Sequence, residues 1–224
     1  ERLFRLLSRG VILAAGGAAG IAALFSAPIA ACIFAHEMLL RRFRSSESAP
    51  VVMAALGGYF GAVMVLGDDR RFLSVMGDPP PLDPTSLSLA ILVGIFSGLL
   101  SSLYIYLIGA GPVWAKSTKV HPILRPLIPA TVLFLISPFF PQLIGPGMFS
   151  VNMALAGEFT FYLLLVLAIL KVFATAFCRS FGFHGGILLP AVFFGAMLGS
   201  AFDLLVGNGG HLYAILGAAA CTGS

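Results

Sequence analysis

Charge is scarce in this chain. Its 224 residues hold 13 Lys and Arg and 9 Asp and Glu, 10% of the total, against 59% hydrophobic residues and a mean hydropathy of +1.02. A soluble chain of this length could not hide so much apolar surface. The net charge of +4 says nothing of nucleic acid, because the basic residues fall in short runs between apolar segments, where they read as topology signals. Cysteine is nearly missing as well. Cys32, Cys178 and Cys221 are far apart and each lies inside an apolar segment, so they read as small buried hydrophobes and not as a disulfide or metal set. Hydrolase signatures fail too. His36-Glu37 is followed at the fourth position by Leu40, which rules out the zinc helix HExxH, and no GxSxG nucleophile elbow is present. The chain shows no short-period repeat and no low-complexity tail. No enzymatic activity, cofactor, metal or nucleic-acid partner is expected.

What the chain does have is apolar segments, at about residues 10–40, 50–66, 87–115, 127–145, 159–178, 187–206 and 212–224. A simple span needs roughly 20 residues, and the first segment does not fit. Running from Gly10 to Leu40, with Ser26-Ala27-Pro28 in its middle, it is too long for one upright helix and too short for two complete spans. Arg2, Arg5 and Arg9 precede it and Arg41, Arg42 and Arg44 follow it, which places both ends on the cytoplasmic side. Two short helices meeting at Pro28 satisfy these constraints, a broken or re-entrant arrangement of the kind found where ions are handled. Within it, Gly16 and Gly20 stand among Ala14, Ala15, Ala18, Ala19 and Ala22, a small-residue spacing that we read as close helix packing.

The loop at 67–86 carries Asp68-Asp69-Arg70-Arg71 and the proline-rich run Asp78 to Pro84, and cannot be helical throughout. Lys116, Lys119, His121 and Arg125 form a second basic loop. It is assigned to the cytoplasm, and the acidic, proline-rich loop to the outside. Pro138 to Met148 is another breaker-rich stretch. The abrupt start at Glu1-Arg2-Leu3-Phe4-Arg5 and the end inside an apolar segment read as an internal piece of a larger membrane protein.

The most informative stretch is Phe183-His184-Gly185-Gly186-Ile187-Leu188-Leu189-Pro190, running on to Gly195 and Gly199. Proline suits the first turn of a helix, where its missing N–H costs nothing. The glycines before it allow a turn and leave N–H groups uncovered. A helix starting at membrane depth aims those N–H groups and its positive dipole end at whatever lies in front of it. Such a start is tolerated in lipid only where it lines a cavity or is buried in protein. The physical reading is an anion site built from backbone.

With both broken segments in view, the chain resembles the CLC family of chloride channels and proton/chloride antiporters. Gly185-Gly186-Ile187-Leu188-Leu189-Pro190 is similar to the family's GGIFAP motif. Gly17 to Pro28 is similar to its GxAAGLAAAFNAP segment, and Phe34-Ala35-His36-Glu37-Met38 stands where the family places its FxxEE helix end. The resemblance covers essentially all 224 residues. It implies an all-α, polytopic membrane protein of inverted-repeat architecture, with residues 1–224 forming the middle of one transport domain. It also implies a homodimer in a lipid bilayer that moves chloride or a similar monovalent anion, with protons as a second substrate in the antiporters. The expected location is a bacterial inner membrane. By position, the N–H groups of Ile187 and Leu188 would hold the central anion, with Gly185, Gly186 and Pro190 setting the helix start. Leu188 in place of the family's phenylalanine is a mild departure. The family's GSGIP and GREGP motifs would precede Glu1, and its late tyrosine would follow Ser224.

The candidate proton path is His36, Glu37 and Met38. Glu37 matches the first acid of FxxEE; the second, linked to the inner proton route, is Met38, which carries no proton. This leans toward a passive channel, with an antiporter using another route as the alternative. For Glu37 itself, a structural role such as pairing with Arg41 is favoured over a proton relay. His36 is available as a proton carrier. Lys171, inside an apolar segment, is expected to pair with Glu158 or Asp203, the alternatives being snorkelling or a contribution to positive potential. Asp203, sixteen positions beyond Ile187, would lie roughly 24 Å from the anion site. Other transporters with broken helices would differ in taking an organic substrate.

Overall fold

The long first segment breaks where its sequence turns from alanine to Ser-Ala-Pro. Helix α1 (Arg9–Phe25) is capped at its start by the Ser8 side chain and ends at Ser26, which is left-handed with φ 54. Pro28 then opens α2 (Pro28–Phe34) at its first position, where a proline is pre-set for a helix and loses no bond. The helix winds on as a π-turn over Ala35–Leu40 and stops at Arg41, also left-handed with φ 53. The expected pair of helices meeting at Pro28 is present.

The structure is a computed structural model that describes residues 8–67, 83–118, 120–183, 185–207 and 211–223. Arg2, Arg5, the 68–82 portion of the acidic, proline-rich loop, Lys119, His184 and Ser224 lie outside the described residues. Two compact units are present, with the division after Phe72.

The first unit is α1, α2 with its π-turn, and α3 (Ser45–Leu66). Its packing is built from alanine. Ala14, Ala18 and Ala22 of α1 are buried, in one cluster with Ala31, Ala35, Val51 and Ala55. In lipid, helices gain little from hiding apolar area and associate by close backbone approach instead. The spacing was right but the residues were not: Gly16 and Gly20 are exposed and a Cβ on either would meet nothing. The contact face is turned by two residues, to the Ala14-Ala18-Ala22 stripe. The glycine that matters here is Gly58 on α3, where an added Cβ would run into the backbone of Ala19.

The second unit comprises α4 (Pro84–Ser117), α5 (Leu127–Ile136), α6 (Met148–Leu155), α7 (Phe161–Ser180), α8 (Leu188–Val206) and α9 (Leu212–Thr222). Asp83 starts α4 by accepting from the Ser86 amide at 2.9 Å, an N-cap in front of a proline at the first helical position. The apolar stretch 127–145 is not one helix. It stops at Ile136 and, after Pro138 and Pro141, continues only as a 3₁₀ turn over Pro141–Leu143, because each proline removes a donor and restricts the residue before it. The short α6 was not anticipated.

Helix α8 is the core of this unit, with ten of its nineteen residues buried. Its Gly195 and Gly199 lie against α9 so closely that a Cβ on either would strike the carbonyls of Gly217 and Tyr213. Gly217 answers from the other side against Gly195. This is the small-xxx-small packing of membrane helices. Among the described residues every regular element is helical, and Ser45–Leu66, Pro84–Ser117, Phe161–Ser180 and Leu188–Val206 are long and apolar enough to cross a membrane. The fold is that of an all-α, polytopic membrane protein.

Candidate anion site

Helix α8 begins at Leu188, with Ile187 as its N-cap (φ −96, ψ −20) and no side chain capping it. The first intrahelical bond joins the Ala191 amide to the Ile187 carbonyl at 3.3 Å. The amides of Leu188 and Leu189 therefore precede the helical ladder, and Pro190 has none to offer. Gly185, Gly186 and Ile187 are exposed. The result is an uncapped helix end whose dipole and free donors favour an anion. Neither glycine has a left-handed φ, and a Cβ on either would meet nothing within 4 Å. What the two glycines contribute in this structure is uncovered backbone.

Three contacts hold this helix start, and all were invisible in the sequence. Tyr104 of α4, buried, donates its hydroxyl to the Ile187 carbonyl at 3.2 Å. Its ring meets Phe194 edge-on, centroids 5.1 Å apart. Phe193 is the third anchor, buried beneath the left-handed Gly147 (φ 78), where a Cβ would collide with its ring.

Lys171 stands over the Phe193 ring, its ammonium 4.8 Å from the centroid. Its Nζ donates to the carbonyls of Leu143 and Gly145 at 2.9 and 2.8 Å. The expected pair with Glu158 or Asp203 does not form. The 3₁₀ turn and the left-handed Gly145 leave carbonyls inside the unit without helical partners, and a buried ammonium satisfies them. Lys171 thus ties the 141–147 loop to α7 and α8.

Asp203 has its own task. Its two carboxylate oxygens accept from the amides of Tyr213 and Ala214, at 3.3 and 3.0 Å, at the start of α9. A carboxylate there complements the positive helix end.

In the first unit the structure separates the candidate proton residues. His36 is 3% exposed, whereas Glu37 and Met38 face outward. The Arg42 carbonyl can only accept, so His36 Nδ1 carries the hydrogen in the 3.1 Å contact between them. The ring stacks on Phe43, centroids 4.8 Å apart, and its Nε2 is buried without a partner among the described residues. The expected Glu37–Arg41 pair is not the one that forms. Arg41 ends the π-turn in the left-handed conformation, and Arg42 makes a two-pronged contact with Glu47 at 2.8 and 3.0 Å.

Broken helices, uncapped backbone at a membrane-helix start and glycine-mediated packing define a polytopic, all-α membrane protein. The voltage-gated chloride channel family model matches residues 4–224, and the chain belongs to that family, commonly called CLC. It is 28% identical over 219 residues to an uncharacterized protein of Methanocaldococcus jannaschii, covering 97% of this chain and 55% of that one. It is 30% identical over 203 residues to the H(+)/Cl(-) exchange transporter ClcA of Cronobacter sakazakii, covering 88% and 43%. The fold matches the crystal structure of a CLC-type fluoride/proton antiporter with a TM-score of 0.80 at 24% identity, over 95% of this chain and 53% of that chain. The chain spans about half the length of the curated relatives it matches.

Proposed function

We propose that residues 1–224 are the middle portion of one transport domain of a membrane anion transporter. The carrying observation is the start of α8: exposed, uncapped and preceded by two glycines, with amides free to meet an anion. The N–H groups of Ile187 and Leu188 hold a monovalent anion of halide size, with Gly185 and Gly186 leaving the approach open and Pro190 sparing a donor. Relatives named for chloride/proton exchange and a fold neighbour named for fluoride/proton exchange support this class of substrate. The working unit is a homodimer in a bacterial inner membrane. The protein is a transporter and not an enzyme.

The transport mode proposed is a passive channel, because Met38 stands at the position of the inner proton-carrying acid. A second reading, proton-coupled exchange by an atypical route, is favoured by the names of the relatives and by the buried Nε2 of His36, which has no partner among the described residues. The deciding experiment is the reversal potential of the full-length protein in liposomes under opposed proton and chloride gradients. A value at the chloride equilibrium potential supports the channel; a shift with the proton gradient overturns it. Potassium flux without chloride or fluoride flux would overturn the anion reading altogether.

A further inference from the structure

The ends of α4 and α7 and the turn before α5 enclose a pocket of about 430 Å³ that the anion site does not use. Lys116, Arg125 and Arg179 line it, and none of its lining residues is acidic. Arg125 spends its Nε on the Val120 carbonyl at 3.1 Å, which orients the guanidinium and leaves its other donors. Cations at helix C-termini do complement the dipole, but here three of them, from three elements, converge on one open volume.

A second observation meets the first at Ser180. This residue also lines an apolar groove of about 240 Å³ between α4 and α7. Leu107, Gly111 and Trp114 form one wall, with Phe173 and Phe177 on the other. The residues on each helix recur at intervals of three and four, so the groove follows a single face of each for roughly 10 Å. Gly111 brings the helices together at its floor, since a Cβ there would collide with the Ser180 hydroxyl. Trp114, 58% exposed, packs edge-on against Phe181 at 5.8 Å, at the boundary between groove and basic pocket. An aromatic with one wet edge is suited to the membrane interface.

A cationic pocket continuous with an apolar channel along the helices matches a molecule with an anionic head and a hydrocarbon tail. We propose that this is a binding site for an anionic phospholipid: Lys116, Arg125 and Arg179 hold the phosphate-bearing headgroup, and one acyl chain lies in the α4–α7 groove. Basic pockets between membrane helices recognise such headgroups by charge and by bidentate guanidinium contacts. The site is separate from the α8 start and stands whichever transport mode applies.

The test uses the full-length protein, reconstituted with phosphatidylglycerol in phosphatidylcholine and then delipidated, with retained lipid counted by native mass spectrometry. The expected result is retention of phosphatidylglycerol over phosphatidylcholine. Lys116→Gln with Arg179→Gln should weaken it roughly thirtyfold, from the loss of two headgroup charges. Ala110→Phe, which fills the groove and leaves the charges in place, should lower retention while the protein stays monodisperse. Equal retention in the double variant overturns the proposal. So does full displacement by inorganic phosphate with Ala110→Phe having no effect, which would make the pocket a free-phosphate site.

Discussion

The hydroxyl of Tyr104 and the carbonyl of Ile187, 83 positions apart in sequence, meet at 3.2 Å. That carbonyl also accepts the first intrahelical bond of α8 from Ala191. The orientation of the helix start is therefore set in part by a side chain on another helix. Tyr104→Phe keeps the ring contact with Phe194 and deletes only the hydroxyl. It should cost about 1 kcal/mol of stability, and anion affinity, read by isothermal titration with chloride and fluoride, should fall with it. Unchanged affinity would mean that the Ile187 carbonyl does not position the amides beside it.

Glycines 186 and 199 should behave oppositely. Gly199→Val places a branched side chain where the Tyr213 carbonyl lies; the α8–α9 contact cannot form, and the full-length protein should aggregate on extraction. Gly186→Val meets open space, so the protein should extract and melt as the parent does. Its anion flux should nonetheless fall, because the side chain covers the approach to the α8 amides. Leu188→Phe should transport normally. Normal flux in Gly186→Val together with loss in Leu188→Phe would show that side chains, and not amides, make the site.

Removing the ammonium of Lys171 strands the buried Leu143 carbonyl and leaves the part-buried Gly145 carbonyl without its donor. Lys171→Met keeps the length of the side chain but should lower stability by about 1–3 kcal/mol, chiefly from the unsatisfied, buried Leu143 acceptor. Thermal unfolding in detergent measures this. A melting temperature within error of the parent would show that the Leu143 and Gly145 carbonyls find other donors.

Ser26 adopts φ 54 between α1 and α2, a region that a residue with a Cβ enters at a cost and asparagine or glycine enters more readily. Ser26→Asn should raise the melting temperature, by about 0.5–1 kcal/mol of stability. A fall would indicate that the serine hydroxyl does something in the break that asparagine does not.

Met38→Glu restores an acid on the exposed side of the π-turn. Proton flux coupled to chloride should appear or strengthen in liposomes, measured with a pH electrode under a chloride gradient. No change in coupling would remove this position from any inner proton route.

The class of protein was legible without coordinates. Composition, segment lengths and the two breaks dictated an all-α membrane chain, because lipid leaves helices as the economical way to satisfy backbone groups, and Ser26-Ala27-Pro28 and Gly185-Gly186 mark breaks through local backbone chemistry. The bare helix start at Ile187 was legible for the same reason: caps and prolines act within one turn of chain. What the sequence could not disclose were choices made between distant groups. Period alone cannot say whether the Gly16-Gly20 face or the nearly opposite Ala14-Ala18-Ala22 face of α1 is buried, since both carry small residues at the same spacing and the partner helix selects one. Lys171 had two acids within reach in sequence terms, yet three-dimensional proximity gave it carbonyls instead. The tertiary structure alone decided that Tyr104 steadies Ile187 and that Asp203 caps α9, because a hydrogen bond depends on distances of about 3 Å that helix packing sets.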